Sequence, residues 1–308
     1  MINNNVNYTI QENDKTVKSI MRENLNFSKK LSKNLESSGN IFLNGNVTKL
    51  NKITYKGDNL SIEFQEEEDE YEAIDIPIDI LYEDSDILAV NKPPHIVVHP
   101  TKSHQNNTVA NGVAYYFKEQ GIKRKVRLVN RLDMNTSGIV IIAKNPYAHN
   151  NLSIEMKMNN VEKYYYAIVE GTIKDDKGTV NEPITRLNPD DILRVVHSSG
   201  KECITHYEVK KRLNGKTLVK LKLETGRTHQ VRVHMKHIGH PLLGDTLYGR
   251  ESDVINRQAL HCYEMKFKLP TSGQQIVVKA EIPEDMAKLM QNADNAECRI
   301  VGNSSVVR

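Results

Sequence analysis

Seven short runs rich in β-branched and apolar residues punctuate the chain after residue 76: ILAVN (87–91), IVVHP (96–100), GIVIIAK (138–144), YYYAIVEG (164–171), THYEV (205–209), LVKLKLE (218–224) and IVVKAEI (276–282). Each has the length of a strand and is bounded by turn-forming residues. Helical patterns are fewer. One follows a cap at Asn107 or Thr108, places Val109, Val113, Tyr116 and Phe117 on one side and stops at Gly121; another opens at Pro146 and carries Leu152 and Met156. Strands outnumber helices without strict alternation, which implies an α+β domain on a mixed, mostly antiparallel sheet over residues 76–290.

Several classes of protein are disfavoured. The longest apolar stretch, 138–143, is six residues, where a membrane-spanning helix needs about 20. The opening MINNNVNYTIQEN lacks the basic and apolar regions of a signal peptide. The expected location is therefore the cytoplasm, with no membrane partner. Cys203, Cys262 and Cys298 are far apart and odd in number, so neither a disulfide framework nor a thiolate metal site is expected.

Charge is informative through its distribution. The 42 basic and 39 acidic side chains leave a net of only +3, yet between Lys15 and Gly57 nine Lys/Arg face two acids, Glu23 and Glu36. Such a segment is a candidate polyanion-binding module. Its pattern is a helix around 17–25, a second around 28–37 with Ser28 as N-cap and Gly39 as stop, then the strands IFLNG and LSIEF joined through NG and GD turns. Basic helices followed by a hairpin resemble the S4 RNA-binding module. That resemblance implies RNA contact by Lys29, Lys30 and Lys33, in place of the arginines usual at the second helix, over a module spanning 1–64. The acidic stretch 65–75 reads as a solvated linker. The polar, pattern-free residues 291–308 read as a flexible tail. A second basic region runs from Lys201 to His240, where ten Lys/Arg face three acids among five histidines.

The segment LVNRLDMNTSGIVIIAKN sets a polar loop, 133–137, directly before Gly138 and an apolar strand, the rigid support that a reactive side chain needs. If 129–133 is extended, Arg131 and Asp133 project to the same side. In ETGRTHQVRVHMKHIGHPLLGDTLYG, Thr228 is a good N-cap, Val231, Met235 and Ile238 form a helical stripe, and Gly239 with Pro241 ends it. A helix is expected there, with its N-terminus and Arg227 facing RNA phosphate.

Together with NKPPHIVVHP, which holds Lys92, Pro93 and His99, and with EKYYYAIVEG, these segments resemble, in order, four motifs of the RluA family of RNA pseudouridine synthases, over about two hundred residues. The resemblance implies Asp133 as nucleophile, Arg131 as the residue that helps displace the target base, Tyr165 as the motif tyrosine and Arg232 as the basic partner of the aspartate. Lys92, Arg227 and His229 are the expected RNA contacts of this domain. Asn130 stands where family members commonly have histidine, which implies a changed hydrogen bond without loss of activity.

The chemistry suits the residues. Forming pseudouridine breaks the N1–C1′ bond, turns the uracil and rejoins it through C5, with no net redox change or hydrolysis, so no cofactor is expected. It requires an ionised carboxylate, which a neighbouring arginine favours, and a nucleotide flipped from the stack onto an aromatic surface. Attack of Asp133 at C1′ and at C6 both fit the sequence. The implied substrate is structured RNA, ribosomal (23S) first and transfer RNA second, bound by a monomer. Two other readings exist: an RNA-binding assembly factor with a vestigial site, and a metal-dependent hydrolase on His229, His234, His237 and His240. Those histidines lie around a helix and its exit without a common face, so no metal site is expected.

Overall fold

The structure, a computed structural model, describes residues 5–101, 104–188 and 190–291. The expected tail at 291–308 and Cys298 therefore lie almost wholly outside the described residues.

The basic N-terminal segment forms its own small core. β1 (Asn5–Thr9) and β2 (Lys15–Thr16) precede α1 (Val17–Glu23) and α2 (Lys29–Ser37), and β3 (Ile41–Leu43), β4 (Asn46–Val47), β5 (Ile53–Thr54) and β6 (Asn59–Glu63) follow. Four strands pair antiparallel in the order β1-β6-β3-β4, and β2 pairs with β5. Ser28 caps α2 by accepting the Leu31 amide, and Gly39 leaves the helix at φ +70°. Asn44 and Gly45 turn the β3–β4 hairpin with positive φ at both positions, the geometry for which Asn-Gly is suited. Val17, Ile20, Met21, Leu35 and Ile62 fill the core, leaving Lys29, Lys30 and Lys33 exposed on α2.

Residues 65–75 do not float in solvent. Glu66, Glu67 and Glu70 pair with Lys123, Arg127 and Lys125, the Asp69 carboxylate accepts the Val126 amide at 2.9 Å, and Tyr71 and Ala73 pack on a buried cluster below. Glu66 and Glu70 stay largely exposed, as a solvated stretch would, but the acids also meet the basic run 123–127, which is distant in sequence.

A ten-stranded sheet then carries the rest. Its strands are β7 (Asp79–Glu83), β8 (Ile87–Lys92), β9 (Arg127–Leu128), β10 (Ser137–Ala143), β11 (Glu162–Glu170), β12 (Lys177–Asn181), β15 (Ile204–Leu213), β16 (Lys216–Leu223), β17 (Leu260–Lys268) and β18 (Gln275–Lys279); a separate small pair is β13 (Ile184–Thr185) with β14 (Val195–Val196). The order is β12-β15-β16-β11-β17-β10-β8-β7, with β18 on β17 and β9 on β10. Every pairing is antiparallel except β10 with β17, a parallel joint of two residues, Ser137↔His261 and Gly138↔Cys262. At that joint Gly138 has φ +113°, and a Cβ on it would lie 2.1 Å from the Cys262 carbonyl oxygen, so no other residue fits. Helices α3 (Val109–Glu119), α4 (Pro146–Lys157) and α5 (Gln230–His237) and a last helical run at 284–291 belong to the same domain. Thr108 caps α3 in a capping box with Asn111, and Asn145 caps α4 ahead of Pro146.

The expected mixed, mostly antiparallel α+β architecture is what forms. The run 96–100 is not a strand: Pro94 precedes it, His95 takes φ +65°, and only Val97 makes a bridge, to Thr108. Strand β17, LHCYEMKFK, has no clean alternation because its pairing with β11 shifts register between Tyr164 and Tyr165.

The N-terminal unit is docked on α4. Tyr147 joins its core and stacks on Phe27 at 4.7 Å, Asn150 donates to the Asn26 carbonyl and Asn151 to the Leu25 carbonyl.

Candidate active site

The chain reaches the parallel joint through the loop 129–136, and nearly every group around Asp133 is fixed from outside the loop. Upstream, the Asn130 amide donates to the Ile139 carbonyl and its oxygen accepts the Ile141 amide, at 3.0 and 2.8 Å, tying the loop to β10. Downstream, Lys92 Nζ donates to the Met134 carbonyl at 2.7 Å, Arg257 Nη1 to the Asn135 carbonyl at 3.2 Å and Gln258 to the Thr136 hydroxyl at 3.2 Å, while Ser137 and His261 share a bond at 2.9 Å. The Thr136 amide closes a turn onto the Asp133 carbonyl. The Asp133 side chain, one-quarter exposed, is presented at the tip of a loop held in a single geometry.

Lys92 is not a surface contact. It is 1% exposed, and its ammonium donates also to the Pro93 and Ile96 carbonyls at 2.8 Å. Burial pulls its pKa down to about 7, against the opposing pull of Asp133. The expectation of RNA contact at Lys92 is thus corrected: three main-chain carbonyls enclose it, and its position fixes the Asp133 loop. Lys92→Met is expected to orphan those carbonyls at about 1–3 kcal/mol each. Thermal melting should show the destabilisation, and turnover should fall with RNA affinity unchanged.

Arg232 reaches Asp133 from α5. Its Nη1 donates to Asp133 Oδ2 at 3.2 Å, while Nε and Nη2 grip both oxygens of Asp245 at 2.7 Å. Asp245, wholly buried, also accepts the Leu247 and Tyr248 amides. The guanidinium is therefore aimed by a bidentate pair and meets Asp133 with its remaining nitrogen. Asp245 and Tyr248 carry no mark in the sequence beyond lying in the quoted segment.

Helix α5 begins at Gln230, and Thr228 does not cap it. His229 enters left-handed at φ 59°, the Gln230 side chain takes over the loop by accepting from Arg227 N and Thr225 Oγ1, and the N-cap His229 makes no side-chain bond to the first turn. The reward for this geometry is placement: His229 Nδ1 meets Tyr248 Oη at 2.8 Å, and its Nε2 stands 3.9 Å from Asp133 Oδ2. Burial lowers the imidazole's pKa although Asp133 opposes it, favouring the neutral ring. His234 bonds Thr205 and the Glu182 carbonyl, and His240 bonds the Glu170 carbonyl, so the histidines serve separate partners. Among the described residues no three His, Cys, Asp or Glu side chains are grouped to hold a metal ion, and no helix is long and apolar enough to cross a membrane.

Asp133 opens into a cleft of about 620 Å³. Arg131, exposed, and Tyr165, from β11, line it with Asp133, and Arg227 stands exposed at its edge. The segment 131–133 is outside any ladder, yet both Arg131 and Asp133 do face one space. Tyr165 is 8% exposed, and burial, with a hydrogen bond to Cys262, holds its phenol well above its ordinary pKa, so it stays protonated and offers the cleft a ring face. Four cationic side chains line the cleft, Arg131, Lys157, Lys163 and Arg227, against the single carboxylate of Asp133. A pocket of that charge accepts a polyanion and brings one carboxylate to bear on it.

Residues 86–237 match the model of a family described as RNA pseudouridylate synthase. The chain is 39% identical over 284 residues to the RNA pseudouridine synthase YjbO of Bacillus subtilis, covering 91% of this chain and all of that one. It is 35% identical over 279 residues to the ribosomal large subunit pseudouridine synthase D of Vibrio cholerae, covering 85% and 86%. Among solved structures, the human RNA pseudouridylate synthase domain containing 1 superposes with a TM-score of 0.57 at 25% identity, over 71% of this chain and 95% of that one.

Proposed function

The chain belongs to the RluA-type family of RNA pseudouridine synthases and is an isomerase; from that premise we propose that it converts a uridine of ribosomal RNA, in the 23S molecule, at the cleft around Asp133. The observation that carries this reading is the immobilised Asp133, in contact with Arg232 and alone in charge sign in a cationic cleft. In this reading Asp133 is the nucleophile toward a nucleotide flipped from its stack. Arg232 orients its carboxylate and stabilises the ionised form. Arg131 takes the space vacated by the displaced base, Tyr165 supplies the surface on which the uracil turns, and Arg227 and His229 contact the RNA. No step calls on a metal or a cofactor. Large-subunit ribosomal RNA is favoured because the Vibrio cholerae relative carries that substrate in its name; transfer RNA is the alternative, and a cytoplasmic monomer is the form that leaves both basic surfaces open.

The division that goes with this reading is an S4-like RNA-binding module at 1–64, a connection at 65–75 and a catalytic domain at 76–290. Helix α4 supports it as the bridge: Tyr147, Asn150 and Asn151 hold the N-terminal unit, and farther along the same helix Ser153, Met156 and Lys157 line the cleft. Replacing Lys29, Lys30 and Lys33 together by Ala is expected to lower the slope of log K against log salt by about 2, roughly 0.7–0.9 per lost phosphate contact. Titration of labelled transcript across a salt series checks this, and the chemical rate at saturation should stay unchanged. The reaction itself is tested by release of tritium from C5-labelled uridine in unmodified ribosomal and transfer RNA transcripts. Release from the ribosomal transcript supports the assignment, whereas release confined to transfer RNA replaces the substrate.

A further inference from the structure

Lys163 is a buried cation to which no role has been given. It lies two residues before Tyr165 on the same face of β11, paired across to Leu223 and Met265. Its side chain is 7% exposed and lines the cleft that Asp133 and Tyr165 line. Among the described residues it has neither a hydrogen bond nor an ion pair, and its charged neighbour across the cleft is another cation, Arg227. The contrast with Lys92 is direct, since that more deeply buried ammonium donates to three carbonyls. The Lys163 ammonium reaches the cleft instead of being sealed in the core, and partial burial lowers its pKa. Among the described residues no protein acceptor holds it, so the ammonium is free to meet an oxygen of whatever occupies the cleft.

We propose that Lys163 is a catalytic residue that hydrogen-bonds a carbonyl oxygen of the target uracil and stabilises the base as it leaves C1′. The inference rests on the reading of the cleft as the reaction site. As Asp133 bonds to C1′ the N1–C1′ bond breaks, its electron pair departs with uracil, and the negative charge is shared by N1, O2 and O4. An ammonium held beside one of those oxygens meets a charge that is small in the bound uridine and full once the bond is broken. Such a contact favours the transition state over the ground state. When C5 then bonds to C1′, the C1′–Asp133 bond breaks and returns its pair to the carboxylate, the C5 proton passes to water and N1 takes a proton from water, so Asp133 and Lys163 end the cycle as they began. Tyr165, on the same strand face, supplies the ring on which the base turns while Lys163 holds an oxygen.

The test compares wild type, Lys163→Met and Lys163→Arg in single-turnover conversion of one transcript that the wild type converts, with RNA affinity measured alongside. Lys163→Met is expected to slow the chemical step by about 10²-fold, the scale of one lost oxyanion donor, with Kd changed by less than about twofold. Its melting temperature should stay close to that of the wild type, because no protein acceptor is left unpaired. Lys163→Arg should recover part of the rate. The defect of Lys163→Met should shrink on a transcript with 5-fluorouridine at the target, followed by mass spectrometry of the digested product, because fluorine makes uracil a better anion. An unchanged chemical rate overturns the proposal. So does a weakened Kd with a salt slope reduced by about one, the signature of a phosphate contact. A 5-fluorouridine defect as large as that on uridine overturns the leaving-group role. Absence of wild-type conversion on every transcript overturns the reading of the cleft, and the Lys163 assignment with it.

Discussion

Asp133→Asn is expected to fold as the wild type does and to lose turnover by on the order of 10⁴-fold or more, the scale on which removing a nucleophile collapses covalent catalysis. The exchange is nearly isosteric, and the Asn amide oxygen can still accept from Arg232 Nη1, which now reaches it at 3.2 Å. Arg232 keeps its bidentate grip on Asp245 either way. The loop is held through Asn130, Lys92, Arg257 and Gln258, none of which bonds the Asp133 side chain. Stability should therefore change by less than about 1 kcal/mol, and the cleft should still bind RNA. Thermal melting, RNA titration and tritium release from C5-labelled transcript measure the three quantities. Turnover retained in Asp133→Asn would remove the aspartate from the chemistry.

Arg232→Met should be the most destructive single change, because it acts on two carboxylates at once. Asp245 is 0% exposed and would be left as a buried charge with only the Leu247 and Tyr248 amides for partners. Breaking one side of a buried pair costs about 3–5 kcal/mol, which for a domain of this size corresponds to a fall in Tm of roughly 10 °C. Turnover should fall as well, since Asp133 loses the cation in contact with it. The two effects separate in a double variant: Asp245→Asn added to Arg232→Met relieves the stranded charge and should recover most of the stability, while turnover stays low. Recovery of both would mean that Arg232 serves the fold alone.

How far the sequence carried depended on what kind of signal a residue leaves. The α+β sheet was legible because its strands are short and apolar, and Ser28, Thr108 and Gly39 did what cap and stop residues do, whereas the close approach at Gly138 appears only in the folded chain. Asp133, Tyr165 and Arg232 were legible as motif residues, and Asp133 and Arg232 do meet across 99 residues of chain. Lys92 misled because an isolated lysine reads as solvent-facing, whereas this one is enclosed by carbonyls that only the folded loop brings together. Thr228 failed as a cap because His229 turns left-handed to reach Tyr248, a tertiary contact that overrides a local preference. Asp245 looked like any aspartate after a glycine, and its hold on Arg232 is a property of packing. The pairing of the acids at 66–70 was hidden for the same reason, since their partners at 123–127 lie more than fifty residues away.

The most direct measurement of the central claim is a structure of Asp133→Asn bound to a ribosomal RNA stem-loop that the wild type converts. The account expects one uridine turned out of the stack into the 620 Å³ cleft, its ribose at residue 133, its base against Tyr165 and Arg131 near the gap it left. RNA seated on another face, with every base stacked and the cleft unfilled, would contradict it.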